Sequence, residues 1–254
     1  MISYYQKLAQ LGAFSLEDAS KIMLSSANAS KQLNAMIKAG TVNRIKQNLY
    51  TCVDLVAGGN VADKYVIATH INDSSFVSYH SAFEFYGFYN QVFYDVQVSS
   101  KKRFANFETD ENNYRCFLTE YDEQVDTIRG VRVTSIERTI IDAINMLGKV
   151  MDVEELVKCL QLIHVVNEGK LIDILKIYNK EILYRKAGYI LSFFSEQFGL
   201  RESFFEFCRE HADFTYRGRI SSNELNKLTY IKEWALYAYP NIFEIVEKGG
   251  MENV

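Results

Sequence analysis

The sequence predicts an α+β protein: an N-terminal winged helix-turn-helix, then a mixed α/β middle region, then a mainly helical C-terminal region. Three observations predict it. Residues 1–53 read as three short helices and a two-stranded ribbon, and they hold six basic against two acidic side chains. From Asp54 to Val133 helix-like and strand-like runs alternate. From Asp152 to His211 apolar residues recur at helical spacing. The expected divisions are 1–54, 55–150 and 151–254.

Ser3–Leu11 reads as the first helix, with Tyr5 and Leu8 inward and Gly12 as its stop. Ser15-Leu16-Glu17-Asp18 has the form of a capping box that opens a second helix, Leu16–Leu24. Ser25–Asn28 is the expected turn, with Asn28 as N-cap of a third helix, Ala29–Ala39, stopped by Gly40. That helix puts Leu33, Met36 and Ile37 on one face and Lys31, Asn34 and Lys38 on another. Val42–Ile45 and Leu49–Val53 then pair as a hairpin with Arg44, Lys46, Gln47 and Asn48 at or near its tip. Lys, Arg, Asn and Gln are the side chains that reach phosphates and base edges. Lys31, Asn34 and Ser30 are therefore expected to face bases in a major groove, with Lys38 on phosphate and Asn28 beside them. Arg44, Lys46, Gln47 and Asn48 are expected to follow the adjacent backbone or minor groove.

Downstream, Val61–Ile71 reads as a helix; Val92–Ser99, Tyr114–Thr119 and Val125–Val133 read as strands. Asp152–Ile163 is an amphipathic helix with Val153, Leu156, Val157, Leu160 and Ile163 on one face. Lys170–Tyr178, Tyr184–Phe198 (stopped by Gly199) and Glu202–His211 follow as helices. From Asp213 helix and strand are equally compatible with the pattern, and Gly249–Val254 is expected to fray.

Composition narrows the class. A hydrophobic share of 48%, with 17 Tyr and 17 Phe, supports a folded core. Cys52, Cys116, Cys159 and Cys208 lie far apart without a Cys-x-x-Cys pair, which points to reduced thiols rather than a disulfide framework or a zinc site. MISYYQKLAQ lacks the charged start and apolar run of a signal peptide, and no run approaches the ~20 apolar residues of a membrane span. A cytoplasmic location without a membrane partner is expected. Net charge is −4 for the chain but +4 for residues 1–53, so the rest carries −8. A basic head on an acidic body suits phosphate binding through the head alone.

Three segments resemble the AbiEi-type antitoxin family, predicted regulators of abortive-infection (phage defence) systems. The first is AGTVNRIKQNLYTC, with Gly40, Arg44-Ile45 and Leu49-Tyr50; Asn48 stands where the family usually has glycine. The second is Phe76–Phe88, where Ser78, His80, Ser81, Ala82 and Gly87 match and Tyr86 replaces a frequent His. The third is Ser135–Ala143, with Glu137-Arg138-Thr139 and Asp142, and with Ile136 where proline is frequent. The matches span residues 1–147. The resemblance implies a transcriptional autorepressor that binds inverted repeats in its own promoter. It also implies an antitoxin of type IV, counteracting a separately encoded nucleotidyltransferase toxin without a stable complex. The alternative is a ligand-responsive winged-helix repressor with no toxin partner.

No catalytic residue, metal site or cofactor is expected. His70, His80, His164 and His211 show no metal-ligand spacing, and Gly58-Gly59 lacks the Lys-Ser/Thr of a phosphate loop. Tyr94-Asp95-Val96-Gln97 with Lys101 lacks the second carboxylate-x-lysine element of a nuclease strand. Arg138/Asp142 and His80/Glu84 are spaced i, i+4, the first pair reading as an ion pair and His80 as a semi-buried histidine. Lys101-Lys102-Arg103, Arg185-Lys186 and Arg217/Arg219 are further basic clusters that could extend a DNA footprint.

Overall fold

Serine side chains cap the first three helices. Ser3 caps α1 (Tyr4–Ala9), and its Oγ accepts from the Gln6 N–H. After α1 the chain turns through Gly12 at φ +70° into β1 (Ala13–Phe14). The Ser15–Asp18 box opens α2 (Leu16–Met23) as expected, with both reciprocal hydrogen bonds formed. Leu24 adopts a left-handed conformation, φ +65°, and ends α2. α3 then spans Ser26–Lys38. It starts three residues earlier than the sequence suggests. Extended Ser25 supplies the cap by accepting from the Asn28 N–H at 3.2 Å. Asn28 thus lies inside the first turn and is not the cap. Its Nδ2 donates to the Met23 carbonyl at 3.2 Å.

The computed structural model describes residues 3–89, 93–221 and 228–249. It divides into two units, Met1–Val77 with Phe93–Val133, and Ser78–Val92 with Thr134–Val254. A mixed α+β architecture with three sheets results.

In the first unit, β2 (Val42–Lys46) and β3 (Leu49–Cys52) form the expected hairpin, and β1 adds to β3 on the other side. Leu8, Phe14, Ala19, Met23, Ala29, Leu33, Val42 and Cys52 make one buried cluster that fixes α1–α3 on this sheet. α4 (Lys64–Thr69), capped by Asp63, is shorter than Val61–Ile71. It packs across β4 (Phe76–Val77) and β5 (Asp95–Ser100) of a six-stranded sheet. α5 (Tyr79–Phe85) follows β4 in sequence and belongs to the second unit. The sheet is completed by β6 (Phe107–Glu108), β7 (Asn113–Leu118), β8 (Val125–Ile128) and β9 (Val131–Thr134), in the order β6-β7-β5-β4-β9-β8. β5 runs parallel to β7, and Val77 of β4 pairs in parallel with Val133. The single strand expected over Val125–Val133 is two. Arg129 and Gly130 both have positive φ, +51° and +80°, the conformation of a two-residue hairpin turn. Val92, part of the expected Val92–Ser99 strand, lies outside the described residues.

The second unit is mainly helical: α6 (Ile136–Asn145), α7 (Val153–Leu162), α8 (Glu168–Tyr178), α9 (Glu181–Ser192), α10 (Ser195–Phe198) and α11 (Glu202–Glu210). The inward face expected for α7 is buried at Val153, Leu156, Val157, Leu160 and Ile163, and Asp152 caps it. The helix expected over Tyr184–Phe198 breaks at Phe193-Phe194, with Gly199 (φ +63°) closing the second part. The tail resolves into β10 (Gly218–Arg219), β11 (Thr229–Ile231), a 3₁₀ turn, β12 (Leu236–Ala238) and α12 (Phe243–Gly249). Most of Gly249–Val254 lies outside the described residues. No described helix is long and apolar enough to cross a membrane.

Glu168 ties the start of α8 to α11. It accepts from the Arg201 backbone N–H (2.8 Å), Nε (3.1 Å) and Nη2 (2.7 Å). Burial alone would raise its carboxyl pKa; the Arg201 hydrogen bonds and charge outweigh this and hold it below the ordinary glutamate range. A depressed folded-state pKa stabilises above the unfolded value, and that stability is lost as pH falls through the folded one. Wild type is therefore expected to lose more stability than Glu168→Gln on acidification below pH 4.5. Urea midpoints at pH 7 and pH 3.5 check this; parallel losses would contradict it.

Candidate nucleic-acid interface

α3 is held by its underside. Ala29 and Leu33 are buried, Met36 and Ile37 pack partly, and α2 lies against it. The opposite side carries Ser30, Lys31, Asn34 and Lys38, all exposed. Lys31 and Lys38 make no ion pair among the described residues. Lys21 on α2, by contrast, is neutralised by Glu17 at 3.0 Å and Asp18 at 3.7 Å.

The hairpin is less uniformly available. Arg44 and Gln47 are exposed. Arg44 Nε donates to the Lys46 carbonyl at 3.4 Å and lines a polar cleft of about 430 Å³ with Glu108, Asp110 and Glu111. Those carboxylates weaken the positive field on this side of the hairpin. Lys46 does not project from the tip. Its Nζ lies 5.2 Å from the Phe104 ring centre and 5.0 Å from that of Phe107, and burial lowers its pKa. It is half-buried and packs its ammonium against two aromatic rings. Phe104 and Phe107 are far along the chain, so no local pattern reveals their contact with Lys46.

Asn48 has a structural task too. It sits at φ +60°, where glycine is commonest and asparagine is best tolerated among the rest. Its Oδ1 accepts from the Leu16 N–H at 3.0 Å, joining the hairpin turn to the start of α2. Asn48→Gly should keep the turn and lose only this bond. Asn48→Ala should lose both, at a further cost of about 1–2 kcal/mol for the left-handed backbone. Urea unfolding is expected to rank wild type above Asn48→Gly above Asn48→Ala; an alanine variant as stable as wild type would refute the assignment.

The remaining motif residues are internal to the second unit. Arg138 Nε and Asp142 Oδ2 pair at 3.3 Å with side chains only 1% and 3% exposed. The Tyr178 hydroxyl donates to the other Asp142 oxygen. Burial pushes the Asp142 carboxyl above its ordinary range, opposed by Arg138 and Tyr178. Glu137 accepts from the Asn167 N–H at 2.8 Å, beside the start of α8. Thr139 Oγ1 lies 2.7 Å from Thr134 Oγ1 and donates to the Ser135 carbonyl at 2.7 Å. The Glu-Arg-Thr…Asp signature is thus a buried polar network, with no surface to offer a partner. His80 is buried on α5, and Glu84 is half-buried one turn later. Tyr86 donates to the Thr134 carbonyl at 2.9 Å.

Of the other basic clusters, Lys101 and Lys102 are paired with Asp122 and Asp73, each at 2.7 Å. Arg185 is fully buried. Burial lowers the Lys186 pKa to about 8. Arg217 and Arg219 are exposed. Asp95 is held by Asn113 at 2.9 Å and Arg115 at 3.6 Å.

No family model matches this chain, and no curated protein matches it. Among solved structures its fold is similar to that of the RV2827C protein from Mycobacterium tuberculosis, with a TM-score of 0.66 and 10% identity, covering 97% of this chain and 93% of that one.

Proposed function

We propose that residues 1–54 act as a winged helix-turn-helix on double-stranded DNA, and that the chain is an autorepressor and antitoxin counteracting a nucleotidyltransferase toxin encoded in the same operon. The observation that carries the DNA reading is the exposed row Ser30, Lys31, Asn34 and Lys38, set on a helix whose other face is locked into a core. Lys31 and Lys38 are seven residues apart, roughly 10 Å along the axis. That length fits within a major groove about 12 Å wide. Ser30, Lys31 and Asn34 would read base edges, Lys38 would take a phosphate, and Arg44 and Gln47 would steady the adjacent backbone. Lys46 and Asn48, engaged within the protein, would hold the hairpin in shape for this contact. The antitoxin half of the proposal is supported by the order and spacing of the three sequence signatures.

A mobility-shift titration on the chain's own promoter, with unrelated duplex as competitor, tests the regulatory reading. Retention of promoter DNA against at least tenfold competitor is expected. Equal displacement by both duplexes would remove the autorepressor assignment.

A further inference from the structure

The small C-terminal sheet has two unlike faces. β12 pairs in parallel with β10 and antiparallel with β11, aligning Gly218, Leu236 and Ile231 in one row and Arg219, Tyr237 and Tyr230 in the next. Neighbouring rows point to opposite sides of a sheet. The first row faces the helical core: Gly218 and Leu236 are buried and Ile231 packs partly against it. The second faces outward, with Arg219 exposed and both tyrosines half-buried.

That outward face is layered. The Tyr230 and Tyr237 rings lie 5.4 Å apart. The Arg217 guanidinium sits 4.7 Å from the Tyr230 ring centre and donates to the Tyr237 hydroxyl at 3.2 Å. Arg219 lies 5.9 Å from the Tyr237 ring centre. Neither arginine makes an ion pair among the described residues. Behind them, buried Arg185 donates Nη1 to the carbonyls of Tyr216 (2.8 Å) and Ala235 (3.3 Å), which anchors the entries to β10 and β12. Its Nε and Nη2 have no hydrogen-bond partner among the described residues. Three guanidinium groups are therefore gathered at one small sheet; among the described residues none of them is in an ion pair, and Asp213 is close enough to Arg185 for its charge to be felt.

We propose that this face binds single-stranded nucleic acid, with unpaired bases stacked on the guanidinium–tyrosine layers and phosphates drawn to Arg217 and Arg219. An acidic peptide would answer the charges and leave the flat stacking surfaces unused. A duplex keeps its base faces hidden, whereas an unpaired strand supplies both flat rings and phosphates. This contact is separate from the duplex contact proposed for α3.

The test is fluorescence anisotropy of the full chain with labelled 12-nucleotide oligouridine and oligothymidine, which distinguish RNA from DNA as the source. Wild type should bind at least one of them saturably. Arg217→Ala/Arg219→Ala should weaken that binding about tenfold, the order of one stacked base, with an unchanged melting temperature. Arg217→Lys/Arg219→Lys, which keeps charge but loses planarity, should remain several-fold weaker than wild type. Lys31→Glu/Arg44→Glu should bind as wild type does, even if duplex binding through α3 proves absent. The proposal is overturned by failure of wild type to bind either strand, or by an alanine or lysine variant equal to wild type. It is equally overturned by a matching loss in Lys31→Glu/Arg44→Glu, or by displacement of the strand by polyglutamate as readily as by unlabelled oligonucleotide.

Discussion

Arg138→Ala is expected to destabilise the second unit by about 3–5 kcal/mol, because it strands a charge rather than a surface contact. Asp142 would keep the Tyr178 hydroxyl as donor but lose the Arg138 cation at a side chain only 3% exposed. It must then stay ionised and unpaired, or take up a proton, and either adds to the cost of folding. The neutral pair Arg138→Met/Asp142→Asn should recover most of the loss, since an asparagine oxygen can still accept from Tyr178 and the methionine fills much of the arginine's volume. Urea unfolding of the three proteins checks both parts. An Arg138→Ala midpoint within error of wild type would mean that the buried network contributes no net stability.

Lys31→Glu with Arg44→Glu is expected to reduce duplex affinity at least 100-fold while leaving the melting temperature unchanged. Both side chains are exposed, so the fold loses little. Each reversal removes a cation and brings a carboxylate into the field of the phosphates, at a base edge for Lys31 and at the backbone for Arg44. Lys46→Met provides the contrast. Its ammonium already lies against Phe104 and Phe107, so a methionine can occupy the same apolar seat, with duplex affinity changed less than about threefold. Equilibrium binding by anisotropy at fixed salt separates the two. If Lys46→Met weakens binding as much as the double reversal, the hairpin tip carries the contact and the assignment to α3 falls.

Features written in adjacent residues were legible in the sequence. The Ser15–Asp18 box, the inward stripe of α7 and the left-handed Asn48 and Gly199 all depend on local chemistry. The start of α3 was not, because Ser25, Ser26 and Asn28 can all cap a helix and the choice is made by where α2 stops. β1, β4, β6 and β10 have two residues each, too few for an alternating pattern to exist. The same brevity hid Tyr230 and Tyr237 as neighbours of Arg217, although the arginines themselves stood out. Lys46 and Arg138 show the other limit: a charged side chain looks available in sequence, while burial is decided by residues such as Phe104 or Tyr178 many positions away.

The most direct measurement of the duplex contact is the salt dependence of promoter affinity for wild type, Lys31→Ala/Lys38→Ala and Lys46→Ala. Each lost phosphate contact lowers the slope of log affinity against log salt by about 0.9. A fall of about 0.9 in the α3 variant, from the one phosphate assigned to Lys38, with Lys46→Ala on the wild-type slope, is predicted by a duplex lying across Ser30, Lys31, Asn34 and Lys38. An unchanged slope in the α3 variant would contradict it.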